Sequence, residues 1–154
     1  MGYRAVCIVG GGGGKAMRRL VRGRSIGHKP GQMNKAEEAY AAYLAERKLL
    51  GEIADYRFES ITLKIGPDCR YTADFSVLAK DYTLEMHEVK GGKKAKDKDG
   101  KVRMNEDGSH MVKAFYQDTS MVKVRAAAAA FPWLRFCVAY RYGKEPWRVD
   151  EVGL

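Results

Sequence analysis

Between residues 33 and 50 the apolar positions Ala36, Ala39, Tyr40, Tyr43, Leu44 and Leu50 recur at roughly helical spacing. Asn34 offers an N-cap oxygen, Glu37 three residues later completes a capping box, and Gly51 supplies a stop. The pattern predicts an amphipathic helix packed on a sheet. Alternation then takes over: residues 56–65, 70–78 and 83–89 read as three strands, turning at Gly66-Pro67-Asp68 and around residues 79–82. Residues 118–130 return to helix and end in an alanine run before Phe131-Pro132. Residues 134–142 form a last strand, buried around Phe136, Cys137 and Val138. The order helix, three-stranded antiparallel meander, helix, strand predicts an α+β or α/β fold with a mixed central sheet flanked by helices.

Two stretches fall outside this periodicity. The first 33 residues hold Arg4, Lys15, Arg18, Arg19, Arg22, Arg24 and Lys29 and no acidic residue, so most of the net charge of +9 sits there. Gly10 to Gly14 have high backbone entropy and nothing to bury, which predicts a flexible basic arm over residues 1–32 and a folded domain over 33–154. A phosphate loop is a poor fit, because Val9 stands where the first glycine belongs and Ala16 replaces the hydroxyl. Residues 91–111 are polar and lysine-rich, with Asp99-Gly100 and Asp107-Gly108 as turn signals, and predict a mobile loop. Arg18, Arg19, Lys93, Lys94 and Lys96 are the candidate contacts to a polyanion, for which nucleic acid is the best fit.

Composition narrows the classes. At 154 residues and 45% hydrophobic content the chain can build one core of moderate size. Cys7, Cys69 and Cys137 are scattered without ligand spacing and support neither a zinc motif nor a disulfide framework, which makes a reduced intracellular setting the expectation. No apolar run reaches membrane-spanning length. His28, His87 and His110 share no ligand spacing, and His87 is expected to be structural.

The chemistry concentrates at Asp74 and at Glu88-Val89-Lys90. On an extended strand Glu88 and Lys90 project to one side, with His87 and Val89 on the other. If the intervening turn has three residues and Ala79 pairs with Thr83, Asp74 stands opposite Glu88 on that same side. A two-residue turn would set Asp74 against His87 and put Glu88 behind the sheet. Two opposed carboxylates about 5 Å apart repel each other, and a hard cation such as Mg²⁺ or Mn²⁺ turns that repulsion into a binding site, with Lys90 beside the bound water. Glu37 lies at the border of the helix stripe, where it either caps the helix or looks toward the site. Lys123 and Arg125 lie in the second helix, where each either reaches a phosphate or serves only as surface.

The ordered set of residues 33–40 around Glu37, Tyr71-Thr72-Ala73-Asp74-Phe75, His87-Glu88-Val89-Lys90-Gly91 and the helix around Lys123-Val124-Arg125 resembles the PD-(D/E)XK nuclease superfamily, and within it a group of small phage and prophage proteins. The resemblance covers about residues 33–142 and implies a restriction-endonuclease-like core. It further implies Asp74 and Glu88 as catalytic metal ligands, Lys90 as the residue that positions the attacking water, Glu37 as an additional metal-site carboxylate, and Lys123 as an accessory phosphate contact. One departure is Ala73, where the family usually carries a proline that shapes the strand. The implied function is a Mg²⁺- or Mn²⁺-dependent DNA endonuclease in the cytoplasm of a bacterial host, phage or prophage encoded. Branched DNA is favoured over duplex or single-stranded DNA, and a homodimer would suit symmetric cleavage. The competing expectation is a non-catalytic nucleic-acid-binding protein that uses the arm and the lysine-rich loop.

Overall fold

The computed structural model describes residues 31–115 and 118–153; the basic arm with Arg18 and Arg19 lies outside them. Helix α1 (Lys35–Leu49) starts as its sequence predicts. The Asn34 side chain accepts the backbone N–H groups of Ala36 and Glu37, and Glu37 returns a carboxylate oxygen to the backbone N–H of Asn34 at 2.8 Å. It ends with Gly51 at φ +70°, where the N–H groups of Gly51 and Glu52 reach back to the carbonyls of Lys48 and Arg47. The buried face is Glu37, Tyr40 and Leu44, flanked by Met33, Ala41 and Tyr43. The stripe is therefore turned from the expected one: Ala36 is exposed, and Leu50, which follows the last turn as its C-cap, is exposed too.

The strands are β1 (Ile53–Phe58), β2 (Thr62–Lys64), β3 (Arg70–Thr72), β4 (Phe75–Ala79), β5 (Leu84–Lys94), β6 (Val112–Ala114), β7 (Arg135–Arg141) and β8 (Arg148–Glu151). The main sheet runs β1-β4-β5-β7-β8, with β6 paired to β5. It is mixed, because β5 and β7 are parallel, joined by a crossover that contains helix α2 (Asp118–Ala130), while the other pairs are antiparallel. The α+β architecture is thus the expected one. The two helices cover opposite faces. Tyr40 and Leu44 of α1 pack on Phe75, Val77, Val89 and Ala139. Met121, Val124, Ala127 and Ala128 of α2 pack on Met86, Phe136, Val138 and Tyr140. In the alanine run only Ala127 and Ala128 are buried, and their small side chains let the helix lie close to the sheet.

The meander differs from expectation in one respect that shapes the site. The strands predicted at 56–65 and 70–78 both break at the same level, so β2 and β3 form a separate two-stranded ribbon. Glu59 adopts φ +42° there and donates its N–H to the carbonyl of Asp74 at 2.9 Å. Pairing slips by one residue between Phe58↔Phe75 and Thr62↔Thr72, as a bulge produces. The ribbon leans over α2, carrying Ile61, Leu63, Ile65 and Tyr71 into that core.

The third strand runs on past residue 89 to Lys94, and residues 91–111 are not an open loop. Gly92 to Lys94 pair with β6, bridges join Lys96 to Val102 and Met104 to His110, and side chains of Asp97 and Asp107 accept the N–H groups of two tight turns. The C-terminal residues add strand β8, and Trp147 closes on the ring of Tyr40 with centroids 4.7 Å apart.

At Gly92 a Cβ atom would lie 2.5 Å from the backbone carbonyl carbon of Arg141 and 2.8 Å from the amide nitrogen of Tyr142. Backbone cannot yield as a flexible side chain does, so Gly92→Ala should destabilise by about 1–3 kcal/mol. We expect its thermal midpoint, followed by circular dichroism, to fall by roughly 2–10 °C; an unchanged midpoint would show that β5 does not approach β7 this closely.

Candidate active site

The turn between β4 and β5 decides which side chains meet. Ala79 donates its N–H to Thr83 at 2.9 Å, leaving Lys80, Asp81 and Tyr82 as a three-residue loop. Tyr82 takes φ +65°, and the Asp81 side chain accepts the Thr83 N–H at 3.0 Å. The ladder that follows pairs Leu78 with Leu84, Val77 with Glu85 and Phe75 with His87. Carried one residue further, the same register sets Asp74 opposite Glu88, the arrangement that the three-residue turn predicts.

Asp74 stands at the bend where β3 and β4 part. Beyond Phe75 the backbone of β5 has no further β4 ladder partner, and the Asp74 side chain takes that place: its Oδ2 accepts the Val89 N–H at 2.7 Å. Glu88 is buried and held on both oxygens, by Lys90 Nζ at 2.6 Å and by the hydroxyl of Tyr71 at 3.0 Å. Burial, and then the charge of Glu88, raise the Asp74 carboxyl to about 7, against the pull of the Val89 N–H and of Lys90; Glu37 adds a smaller push upward. Burial, followed by the charge of Glu88, also lifts the Tyr71 hydroxyl far above its ordinary value, so it stays a donor.

Asp74, Glu88 and Lys90 thus converge. A cleft of ≈ 520 Å³ opens over Glu88, lined by Arg70, Tyr71 and Thr72 of the ribbon and by Ser120 and Lys123 of α2. Lys123 is where a phosphate contact was expected. Arg70 and Tyr71 were not foreseen as site residues; their only signal was proximity to Asp74, because a strand read as continuous conceals the bend that brings them over Glu88.

Other expected residues lie elsewhere. Arg125 faces Asp150, Glu151 and Val152 at a different depression. Lys93, Lys94 and Lys96 line a separate groove of ≈ 380 Å³ with Lys113, Val102 and Tyr142. From Glu88 to Lys94 is about 20 Å along β5. Glu37 is buried, with one oxygen on the Asn34 backbone and the other 2.5 Å from the Asn34 side-chain amide. The capping role is therefore filled, and Glu37 feels the site through its charge. Among the described residues it forms no close three-ligand set with Asp74 and Glu88; the set whose ligand atoms all lie within 4.8 Å is Glu85, His87 and Cys137, on the opposite face.

The Asp74–Glu88 pair nonetheless fits a hard divalent cation. Its donors are oxygens, it is half-buried, and burial together with the Glu88 charge raises the Asp74 carboxyl against the pull of Lys90, a state that an added cation would relieve.

The shift has a sign that can be tested. A carboxyl with a folded value near 7 and an ordinary value near 4 binds its proton more tightly when folded, so metal-free stability falls as pH rises between them. Asp74→Asn should match the wild-type thermal midpoint near pH 4 and exceed it by roughly 3 °C or more at pH 8. A midpoint lower than wild type at pH 8 would contradict a strained Asp74–Glu88 pair.

No helix among the described residues is long and apolar enough to cross a membrane. No family model, curated protein or solved structure matches the chain.

Proposed function

We propose that the chain is a divalent-cation-dependent phosphodiesterase acting on nucleic acid, DNA above all, with a restriction-endonuclease-like core of the PD-(D/E)XK type. The observation that supports this most is the convergence of Asp74, Glu88 and Lys90 at a strand bend, with Glu88 opening onto a cleft lined also by Arg70 and Lys123. Asp74 and Glu88 would hold Mg²⁺ or Mn²⁺, which when bound supplies Lewis-acid polarisation of a phosphoryl oxygen and of water.

The remaining work belongs to this chain's own groups. Tyr71 and Lys90 fix the Glu88 carboxylate, so its geometry is set before substrate arrives. The Lys90 ammonium, held beside that carboxylate, orients the attacking water and offsets charge developing on the phosphate. Arg70 of β3 and Lys123 of α2, both lining the cleft, clamp non-bridging oxygens. Protonation of Asp74 competes with the cation, so activity should rise with pH through about 7.

The four-lysine groove favours a second reading, a nucleic-acid-binding protein without catalysis. None of the side chains lining it is acidic. The two readings separate in one set of measurements on junction, duplex and single-stranded DNA. With Mn²⁺ we expect cleavage that Asp74→Ala abolishes and Lys90→Ala reduces by about 10²-fold or more. With EDTA, binding should persist in Asp74→Ala and weaken in Lys94→Glu/Lys96→Glu, with a shallower dependence on salt. Wild-type cleavage no greater than that of Asp74→Ala on every substrate would leave the binding reading alone.

A further inference from the structure

The opposite face of the sheet carries a second set of ligating side chains. Alternation along β5 sends Glu85 and His87 toward α1, and His87 pairs directly with Cys137 of the parallel strand β7. One ligand atom from each of Glu85, His87 and Cys137 lies within 4.8 Å of the other two. His87 is fully buried and Cys137 nearly so, whereas Glu85 reaches the surface, where its Oε1 meets Arg135 Nη1 at 2.8 Å. The remaining Oε2 stands 2.9 Å from His87 Nε2, and His87 Nδ1 is 2.6 Å from the hydroxyl of Tyr40.

We propose that Glu85, His87 and Cys137 form a structural site for a borderline-soft divalent cation of the Zn²⁺ class, independent of the Asp74–Glu88 pair. The donor set selects the ion. One imidazole nitrogen, one thiolate sulfur and one carboxylate oxygen suit Zn²⁺ and discriminate against Mg²⁺, and a fourth position stays open to water. A tetrahedral cation needs only a modest rearrangement, in which Glu85 Oε2 and His87 Nε2 exchange their mutual hydrogen bond for the ion. Arg135 keeps the other Glu85 oxygen. Nε2 gives up the hydrogen it shares with Glu85, and Nδ1 carries one that it donates to the Tyr40 hydroxyl, an outer partner that fixes the ring and its tautomer.

Charge balances as well. Cys137 releases its proton to solvent on binding, so the thiolate and the carboxylates of Glu85 and Glu151 face the two charges of the ion and the one of Arg135. The bound ion would tie β5 to β7 and, through Tyr40, to α1. No sequence motif announces it, because His87 and Cys137 are distant in the chain and meet only through strand pairing.

The test uses the full chain after chelator treatment, titrated with Co²⁺ as a spectroscopic probe. We expect a thiolate-to-cobalt charge-transfer band and tetrahedral d–d bands that survive Cys7→Ser/Cys69→Ser and Asp74→Asn/Glu88→Gln but vanish in Cys137→Ser. Tyr40→Phe should weaken binding by about 10- to 100-fold. In parallel, Zn²⁺ should raise the thermal midpoint of the wild type and not that of Glu85→Gln, a change at the surface end of the cluster that leaves the core intact and decides the matter should Cys137→Ser fail to fold. Absence of a thiolate band, persistence of the band in Cys137→Ser, or a Zn²⁺ response lost only in Asp74→Asn/Glu88→Gln would overturn the proposal. Because these readouts do not involve DNA cleavage, they stand or fall apart from the nuclease reading.

Discussion

The phase of one hairpin determines on which side of the sheet the charged groups of β5 fall. Lys80, Asp81 and Tyr82 leave three residues between the paired Ala79 and Thr83, and Tyr82 accepts a backbone conformation that side chains disfavour in order to close the loop. Because side chains alternate with a period of two, this turn puts Glu88 and Lys90 with Asp74 under α2 and sends Glu85 and His87 under α1. A slip of one residue would turn Lys90 toward the Tyr40 core and take Met86 out of the α2 core, an exchange the two cores cannot absorb. Packing on both faces thus enforces a register that the charged residues alone would resist.

That enforced meeting is unfavourable where it occurs. Asp74 sits beside Glu88 in a site too buried for Asp74 to ionise at the ordinary carboxylate value, and the compensations are local: the Val89 N–H and the Lys90 ammonium at the pair, and the Tyr71 hydroxyl on Glu88. Carboxyls perturbed by burial and by a neighbouring carboxylate cluster at functional sites. This perturbation lends the phosphodiesterase reading more weight than the Glu-x-Lys spacing does.

Much of the architecture was legible because it rests on local signals. Asn34 with Glu37, Gly51, the alternation in β4 and β5, and the run ending at Phe131-Pro132 each announce a cap, a stop or a period, and the helix limits follow. The register was legible as a conditional, since turn length fixes it. The shared break of the first two strands was not. Residues 56–65 alternate without interruption, and nothing in the pattern marks Glu59 as the residue that takes positive φ, so Arg70 and Tyr71 stayed hidden as cleft residues. Residues 91–111 misled for the opposite reason: lysine-rich composition resembles open loop, whereas Asp97 and Asp107 organise tight turns through side-chain acceptors. The Glu85–His87–Cys137 set depends on parallel pairing of β5 with β7, which no local pattern records.

The break at Glu59 and Asp74 also links two parts that a continuous sheet would keep rigid. Tyr71 sits on the ribbon beyond the break, yet its hydroxyl holds Glu88 on the sheet before it. Any tilt of the ribbon about that joint lifts one wall of the cleft and, in the same movement, slackens the grip on the carboxylate. The width of the cleft and the geometry of the Glu88 carboxylate are therefore mechanically coupled, with a single phenol as the link.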